Sequence, residues 1–230
     1  MREQGTGSSE QGGSNINQRV IACRKCPRLV AHREKVAKEK KREFRAWDYW
    51  GKPVPGFGDP DARLLLVGLA PAAHGANRTG RMFTGDSSGD WLYEALHRFE
   101  FANQAESVSR DDGLALTDCY ITAAARCAPP GNKPTAAEFA QCRPFLIDEL
   151  RLLTRVRVVV PLGKLGHDAY LRAAGLPDRP RFGHGVETEL SNGIHMIASY
   201  HPSRQNTNTG RLTRAMWHGI FRRAGEIIAG

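Results

Sequence analysis

Apolar runs that alternate with segments of helical periodicity constrain the fold of this chain more than any other feature. The first run, residues 63–69, is typical of a strand buried on both faces. Further strands are predicted over residues 120–125, 157–162 and 194–200, a short extended piece around 182–190, and helices over residues 90–101, 135–150, 163–174 and 210–229. Strands that alternate with helices favour parallel βαβ units, so we expect an α/β fold in which one parallel sheet is covered on both sides.

The chain has 230 residues, which suits one domain whose core needs no disulfides. Residues 1–18 are polar and rich in glycine and serine, so we interpret them as a disordered tail preceding a single domain over residues 19–230. The tail lacks the apolar stretch of a signal peptide, and no apolar run is long enough to cross a membrane. We therefore expect a cytoplasmic protein, and we take it to be a monomer.

Positive charge is concentrated near the two ends of the chain. The formal net charge is +9, and residues 24–45 contain ten Lys or Arg against three acids. The C-terminal region adds Arg204, Arg211, Arg214, Arg222 and Arg223. Two basic ends suit a face that binds phosphates, although such a face binds any nucleic acid and does not identify the chemistry.

Three unusual loops follow predicted strands, over residues 70–89, 127–134 and 201–208. The carboxyl ends of parallel strands lie at one edge of a sheet, and ligands bind beyond that edge. The sequence therefore predicts an active site built from these loops. Neither a dinucleotide-binding glycine fingerprint nor a phosphate-binding loop motif is present in them.

Each candidate side chain in the loops has a structural alternative. Phe83 can stack on a planar base or fill the core below it. Asp86 can act on a substrate or cap the helix that follows. His201 can be a structural histidine, but Pro202 stiffens its turn and Ser203 can hold a phosphate.

Four of the five cysteines can form one metal site. Cys23 and Cys26 form a Cys-x-x-Cys pair, Cys127 begins a loop, and Cys142 lies in the next helix. By spacing, an iron–sulfur cluster and a structural zinc are equally good interpretations, and buried core thiols are a third. Cys119 has no partner at a suitable spacing and is expected in the core.

Taken together, the residues resemble family 5, or type B, of the uracil-DNA glycosylase superfamily. The resemblance rests on residues 68–86, on residues 126–134, on His201-Pro202-Ser203 and on the four cysteines, and it extends from about Cys23 to the end of the chain. It implies a three-layer α/β/α fold with a central four-stranded parallel sheet. It also implies a 4Fe-4S cluster on the four cysteines, and removal of uracil from double-stranded DNA to leave an abasic site, the first step of base excision repair.

The resemblance further implies a role for each candidate residue. The catalytic set is Asp86, Asn132 and His201; the base-binding set is Gly68, Ala70, Phe83 and Ala123; and DNA phosphate is bound by Ser203 and Arg204. A damaged nucleotide must leave the duplex before a pocket can act on it. His201 would then donate to a uracil carbonyl, while Asp86 would orient water or stabilise the positive sugar, with Asn132 holding the water or the base.

Two positions depart from related families. The related iron–sulfur family has a glutamate, a candidate for activating water, where this chain has Leu69. Leucine cannot accept a proton, so activation of the water falls to Asp86, or electrostatics and positioning supply most of the catalysis. Relatives that select uracil strictly have an asparagine where this chain has Ala123. We therefore expect a tolerant pocket that also accepts hypoxanthine or bulky uracil derivatives.

Two other functions compete with this interpretation. One is a non-catalytic iron–sulfur module of the same fold that only binds nucleic acid. The other is a zinc-stabilised nucleotide hydrolase, which lacks the clustered acids and histidines that a catalytic metal needs. We also expect the cluster to be structural, because its ligands lie on an arm and a helix start that are distant from Asp86 in sequence.

Overall fold

A six-stranded sheet forms the centre of the computed structural model, which describes residues 6–230. The strands are β1 (Phe57–Gly58), β2 (Leu64–Gly68), β3 (Cys119–Ala123), β4 (Val158–Pro161), β5 (Glu187–Glu189) and β6 (His195–Ile197). Their order across the sheet is β1-β3-β2-β4-β6-β5. The four inner strands are mutually parallel, which confirms the predicted sheet, whereas the short edge strands β1 and β5 are antiparallel to their neighbours.

Helices account for most of the remaining regular structure. They are α1 (Thr6–Ile21), α2 (Pro27–Glu39), α3 (Ala76–Thr79), α4 (Ser87–Arg98), α5 (Ala136–Leu152), α6 (Lys164–Ala174), α7 (Arg204–Asn208) and α8 (Arg214–Ala229), with 3-10 turns at Arg42–Phe44 and Pro130–Asn132. None of the helices described here is long and apolar enough to cross a lipid bilayer.

Alternate residues of β2 enter two separate hydrophobic cores. Leu64 and Leu66 pack with the apolar sides of α4 and α8 on one face of the sheet. Leu65 and Val67 pack with α5 and α6 on the other face. Complete burial of such a side chain stabilises the fold by about 2 kcal/mol relative to exposure. The sheet is therefore covered on both faces, as a continuously apolar strand requires.

Side-chain caps fix where three of the helices begin. Thr135 and Glu138 form a capping box at the start of α5. Asp86 caps α4 by accepting hydrogen bonds from the backbone amides of Ser88 and Gly89. Thr213 caps α8 through the amide of Met216. These caps also fix the loops that precede the helices.

Helix α1 differs from the predicted disordered tail over residues 1–18. Residues 1–5 lie outside the described residues, but the chain is helical from Thr6. Its last turns bury Ile16 and Val20 against Phe145 of α5. The segment has too few apolar residues for helical periodicity to be evident in the sequence, so its two anchoring side chains were not recognised.

Candidate active site

The carboxyl ends of β2 and β3 meet in register at one edge of the sheet, where Gly68 pairs with Ala123. A pocket opens there, and its walls include every residue of the predicted base-binding set together with two of the three catalytic candidates. These residues are Gly68, Ala70, Phe83, Asp86, Ala123 and His201. Loops after β2 and β6 therefore converge with the end of β3, as the strand order predicts.

Phe83 is held in a backbone conformation that a bulky residue rarely adopts. Its φ is 53°, in the left-handed region. A Cβ added at Gly68 would lie 3.0 Å from two ring atoms of Phe83, so the ring rests against the bare backbone of β2. Its centroid is 5.7 Å from that of His201, and the two rings are inclined by 30°. An outlier of this kind persists where surrounding structure imposes it, which is common at functional sites.

Asp86 caps a helix and also lines the pocket. Its Oδ1 accepts both capping bonds. Its Oδ2 faces Gly75, where an added Cβ would be only 2.1 Å away, so that position has room only for glycine. Burial raises the pKa of the Asp86 carboxyl, while the amides of Gly89 and Ser88 and the charge of Arg78 act to lower it. The two alternatives for Asp86 are therefore compatible, because one oxygen forms the cap and the other is left for chemistry.

Arg78 supports the Asp86 loop from below. It is 3% exposed, and its guanidinium donates to the carbonyls of His74 and Gly85. The same group lies between two aromatic rings, 3.9 Å from the centroid of Phe44 and 4.1 Å from that of Trp47. Residues 40–54, which contain both rings, thus clamp the loop that contains Asp86.

His201 lies in the loop after β6, four residues beyond the last strand residue, Ile197. Burial lowers the pKa of its imidazole to about 4, so the ring is neutral at neutral pH. An added Cβ at Gly163 would be 3.4 Å from the Cβ of His201, which places the loop after β4 against it. A neutral imidazole carries one N–H and can donate a single hydrogen bond into the pocket.

We expect the buried neutral state of His201 to make stability depend on pH. An unfolded histidine takes up a proton near its ordinary pKa of 6.5, whereas the folded one stays neutral down to about 4. The unfolded state therefore binds more protons in this window, and stability falls as the pH falls from 6.5 towards 4. Urea unfolding at several pH values should show wild type losing roughly 2 kcal/mol more across the window than His201→Gln. Equal losses in the two proteins would contradict the burial of a neutral ring.

Asn132 does not share the pocket walls in the structure. It ends the 3-10 turn Pro130–Asn132 with a φ of 56°, and its side chain is exposed. Ser203 is half-buried at the start of α7, and Arg204 is exposed and donates to the Ser87 hydroxyl, 3.1 Å away. Ser87 directly follows Asp86, so the predicted phosphate-binding pair lies at the rim of the pocket.

The four predicted ligand cysteines come from three parts of the fold. Cys23 and Cys26 precede α2, Cys127 follows β3, and Cys142 lies in α5. Burial raises the pKa of Cys127 to about 11 and also raises those of Cys26 and Cys142. Each of these pKa values is raised further by neighbouring thiols of the same set. The four thiols therefore face one region, whereas Cys119 is buried in β3.

The thiol region contains no compact ligand set for a single ion. Across residues 6–230, no three His, Cys, Asp or Glu side chains form a group that could bind one metal ion. The backbone N–H of Arg126 donates to the Cys142 sulfur, and a guanidinium nitrogen of Arg33 lies 3.0 Å from the Cys127 sulfur. Donors that point at sulfur suit thiolates more than neutral thiols, so the donor set fits an iron–sulfur cluster.

Most of the predicted basic face is exposed. Of the ten cations in residues 24–45, eight are exposed, Lys40 is half-buried, and Arg33 is buried on the inner side of α2. Counting it with the phosphate-binding charges was wrong. Arg28 is exposed but paired with Glu138. The position of Arg33 was detectable, since it lies four residues after Leu29 and so falls on the apolar side of the helix.

The pocket also includes residues that the sequence did not predict as part of its walls. Leu69, Met82 and Ser88 belong to its walls. Leu69, where the related family has a glutamate, supplies an apolar part of the wall. Met82 and Ser88 flank the predicted pair Phe83 and Asp86, so their closeness in sequence was the only available signal.

Comparison with known proteins gives one consistent result. A sequence model described as the uracil DNA glycosylase superfamily matches residues 55–223. The type-5 uracil-DNA glycosylase of Mycobacterium tuberculosis is 54% identical over 215 residues, covering 92% of this chain and 80% of the relative. That of Thermus thermophilus is 53% identical over 211 residues, covering 91% of this chain and 95% of the relative.

A more distant relative, the type-4 uracil-DNA glycosylase of Pyrobaculum aerophilum, is 31% identical over 128 residues, covering 55% of this chain and 57% of the relative. The type-5 enzyme of the same organism is 48% identical over 206 residues, covering 90% of this chain and 89% of the relative. Identity is thus higher, and coverage more complete, for type 5 than for type 4. The chain therefore belongs to the uracil DNA glycosylase superfamily and, within it, to the type-5 uracil-DNA glycosylases.

Proposed function

We propose that this protein removes uracil from double-stranded DNA by hydrolysing the N-glycosidic bond, and that it also accepts other deaminated bases such as hypoxanthine. The observation that carries the proposal is the convergence of Phe83, Asp86 and His201 on one pocket at the carboxyl edge of the sheet. The target nucleotide leaves the duplex at a cost of a few kcal/mol, which contacts inside the pocket and to phosphates must offset.

Inside the pocket the base stacks on Phe83 and accepts a hydrogen bond from His201. Bond cleavage leaves negative charge on the departing base, so a donor at a uracil carbonyl stabilises the transition state more than the substrate. The imidazole is neutral and does not have to transfer a proton to the base. A hydrogen bond donated by its N–H is enough to stabilise the negative charge on the departing base. A contact of this kind contributes about 10²- to 10³-fold in rate.

Asp86 acts on the sugar. The sugar gains positive charge as the bond breaks, and the Oδ2 of Asp86 either stabilises it directly or orients the attacking water. Arg78 and the capping amides help to keep this carboxylate charged despite its burial. Leu69 cannot share the task, so the carboxylate in the pocket wall carries it.

Asn132 meets the nucleotide only when DNA is bound. Its turn is exposed at the same sheet edge, since it follows β3, and its backbone N–H donates to Pro129. The side chain can donate or accept, and so hold the water or the base edge. Ser203 and Arg204 bind phosphate at the rim, supported by the exposed cations of residues 24–45.

Cys23, Cys26, Cys127 and Cys142 hold a 4Fe-4S cluster in this proposal. When bound, the cluster supplies a structural cross-link between the segment before α2 and the β3–α5 unit, and no step of base removal uses its redox chemistry. The purified protein should be brown, with iron and acid-labile sulfide in equal amounts and thiolate-to-iron absorption. Zinc in place of iron would contradict this assignment.

Base release from matched duplexes tests the activity directly. Duplexes containing uracil, hypoxanthine or an undamaged base are incubated with the protein, and abasic sites are counted after alkaline cleavage. We expect strand breaks at uracil and at hypoxanthine. Binding without abasic sites would instead support a module that only binds nucleic acid, and release confined to uracil would refute the tolerant pocket.

The Ala123 position should control that tolerance. Ala123 is 1% exposed at the end of β3 and supplies no polar group to the base. Ala123→Asn adds an amide able to pair with the pyrimidine edge, so we expect the ratio of uracil to hypoxanthine release to rise about tenfold or more. Single-turnover rates on both duplexes measure it, with Ala123→Val as a control that adds side-chain volume without a hydrogen-bonding group. An unchanged ratio would show that selectivity is set elsewhere.

A further inference from the structure

A buried cation lies against the predicted cluster ligands. The guanidinium of Arg33 comes from the inner side of α2, and the residue is 1% exposed. Its Nη1 is 3.0 Å from the sulfur of Cys127, a hydrogen-bond distance for a sulfur acceptor. Nη1 and Nη2 each lie 3.4 Å from the carbonyl oxygen of Cys23. One side chain thus spans the two segments that contribute thiols.

The charge of Arg33 has no buried partner among the described residues. Within residues 6–230 its one carboxylate neighbour, Glu34, is 3.8 Å away, is 45% exposed and is already bound by Arg24. Its Nε is buried without a hydrogen-bond partner. A cation that is taken out of water without an anion is strongly destabilising, so the arrangement favours negative charge nearby.

Arg126 provides an internal comparison. It is also 1% exposed, and it lies beside Cys127 in sequence. Its side chain pairs with the buried carboxylate of Glu149, which also accepts a hydrogen bond from Thr122. Among the described residues, Arg126 is therefore paired with a buried carboxylate, whereas Arg33 has only the exposed Glu34 near it. The guanidinium of Arg33 contacts the Cys127 sulfur, so negative charge at the thiols would be close enough to compensate it.

We propose that Arg33 is the counter-ion of the iron–sulfur cluster, donating a charged hydrogen bond to the Cys127 sulfur. The inference rests on the cofactor proposed above. Four thiolates give the bound cluster a net negative charge, which the guanidinium offsets in a site that excludes water. Groups that hydrogen-bond to metal ligands fix the orientation of those ligands and tune the centre, and cluster potentials respond to hydrogen bonds at sulfur.

Removing the charge should shift the reduction potential of the cluster. Reduction in an electrochemical cell adds one electron from the electrode to the cluster, with no bond made or broken. Because the reduced cluster is more negative, a nearby cation favours it. Arg33→Gln keeps an N–H donor but removes the charge, so we expect a more negative potential. A tenfold change in the reduced-to-oxidised ratio at fixed potential corresponds to 59 mV.

The same variant should hold its cluster less firmly. We expect loss of the charge-transfer absorption in ferricyanide and chelator to be about tenfold faster in Arg33→Gln than in wild type. Arg33→Lys keeps the charge and should stay within about threefold of wild type in this rate. Arg28→Gln is the matched control. Arg28 lies on the same helix and forms an ion pair with Glu138 of α5, the helix that contains Cys142. Among the described residues, however, it makes no contact with a sulfur atom.

The outcomes separate this inference from the cofactor assignment. If wild type contains no iron and sulfide, both are overturned. If wild type is loaded but Arg33→Gln matches Arg28→Gln in potential and in cluster loss, only the role of Arg33 is overturned. If Arg33→Lys is as impaired as Arg33→Gln in both readouts, charge is not what Arg33 contributes. Should Arg33→Gln not accumulate, Arg33→Lys against wild type still decides, since a large shift in its potential contradicts the proposal.

Discussion

Replacing Asp86 with asparagine is expected to lower the single-turnover rate of uracil release by about 10³-fold while leaving the stability of the fold nearly unchanged. Asparagine caps a helix as well as aspartate does, so the bonds from the amides of Ser88 and Gly89 persist. What disappears is the negative charge of the oxygen that faces Gly75. Rapid-quench measurement of abasic sites, with urea unfolding in parallel, separates the chemical role from the capping role.

Two companion variants make that result specific. Asp86→Ala removes both roles, so it should combine the rate loss with a destabilisation of about 1 kcal/mol. Thr213→Ala removes a comparable cap from α8 and should cost a similar stability without changing uracil release. If Asp86→Asn released uracil at a rate within threefold of wild type, the carboxylate would only cap the helix. The negative charge that the proposed mechanism places beside the sugar would then be ruled out.

Cys142→Ala is expected to abolish the brown absorption and to lower the free energy of unfolding by about 4 kcal/mol or more. A group bound at a thousand times its dissociation constant contributes that much. In a chain of this length the thermal midpoint should fall by roughly 10 °C. Iron analysis, visible absorption and thermal unfolding of the purified variant measure these changes.

Cys119→Ala is the matched control for that experiment. Its thiol is fully buried in β3, and among the described residues no other cysteine acts on it. The variant leaves a small cavity that costs about 1 kcal/mol and should retain all of its iron. Loss of iron from Cys119→Ala, or full retention by Cys142→Ala, would show that the ligand set is wrong.

The sheet and its site edge were predictable because local patterns determine them. The continuous apolar run of β2 marks a strand buried on both faces, and alternation with helices fixes a parallel order. Once strands are parallel, the loops after β2 and β6 must meet at one edge with the end of β3. The meeting of Phe83, Asp86 and His201 follows from topology more than from any property of the individual residues.

The features that sequence reasoning missed depend on contacts between distant segments. The edge strand β1 has two residues, too few for a period, and exists only through its pairing with β3. The sequence placed Arg33 among the surface cations, but the packing of α2 against the Cys127 loop buries it. Asn132 follows the same strand as the pocket residue Ala123, yet its left-handed turn leaves it exposed outside the pocket walls.

The aromatic clamp on Arg78 connects the Asp86 loop to the chain that follows α2. Phe44 and Trp47 hold the guanidinium, while the amide of Trp50 donates to the Arg78 carbonyl. The same stretch continues directly from the helix that begins at the cysteine pair. If the thiols of that pair bind the proposed cluster, loss of the cluster would free the start of α2 and loosen the residues that hold the Asp86 loop in place.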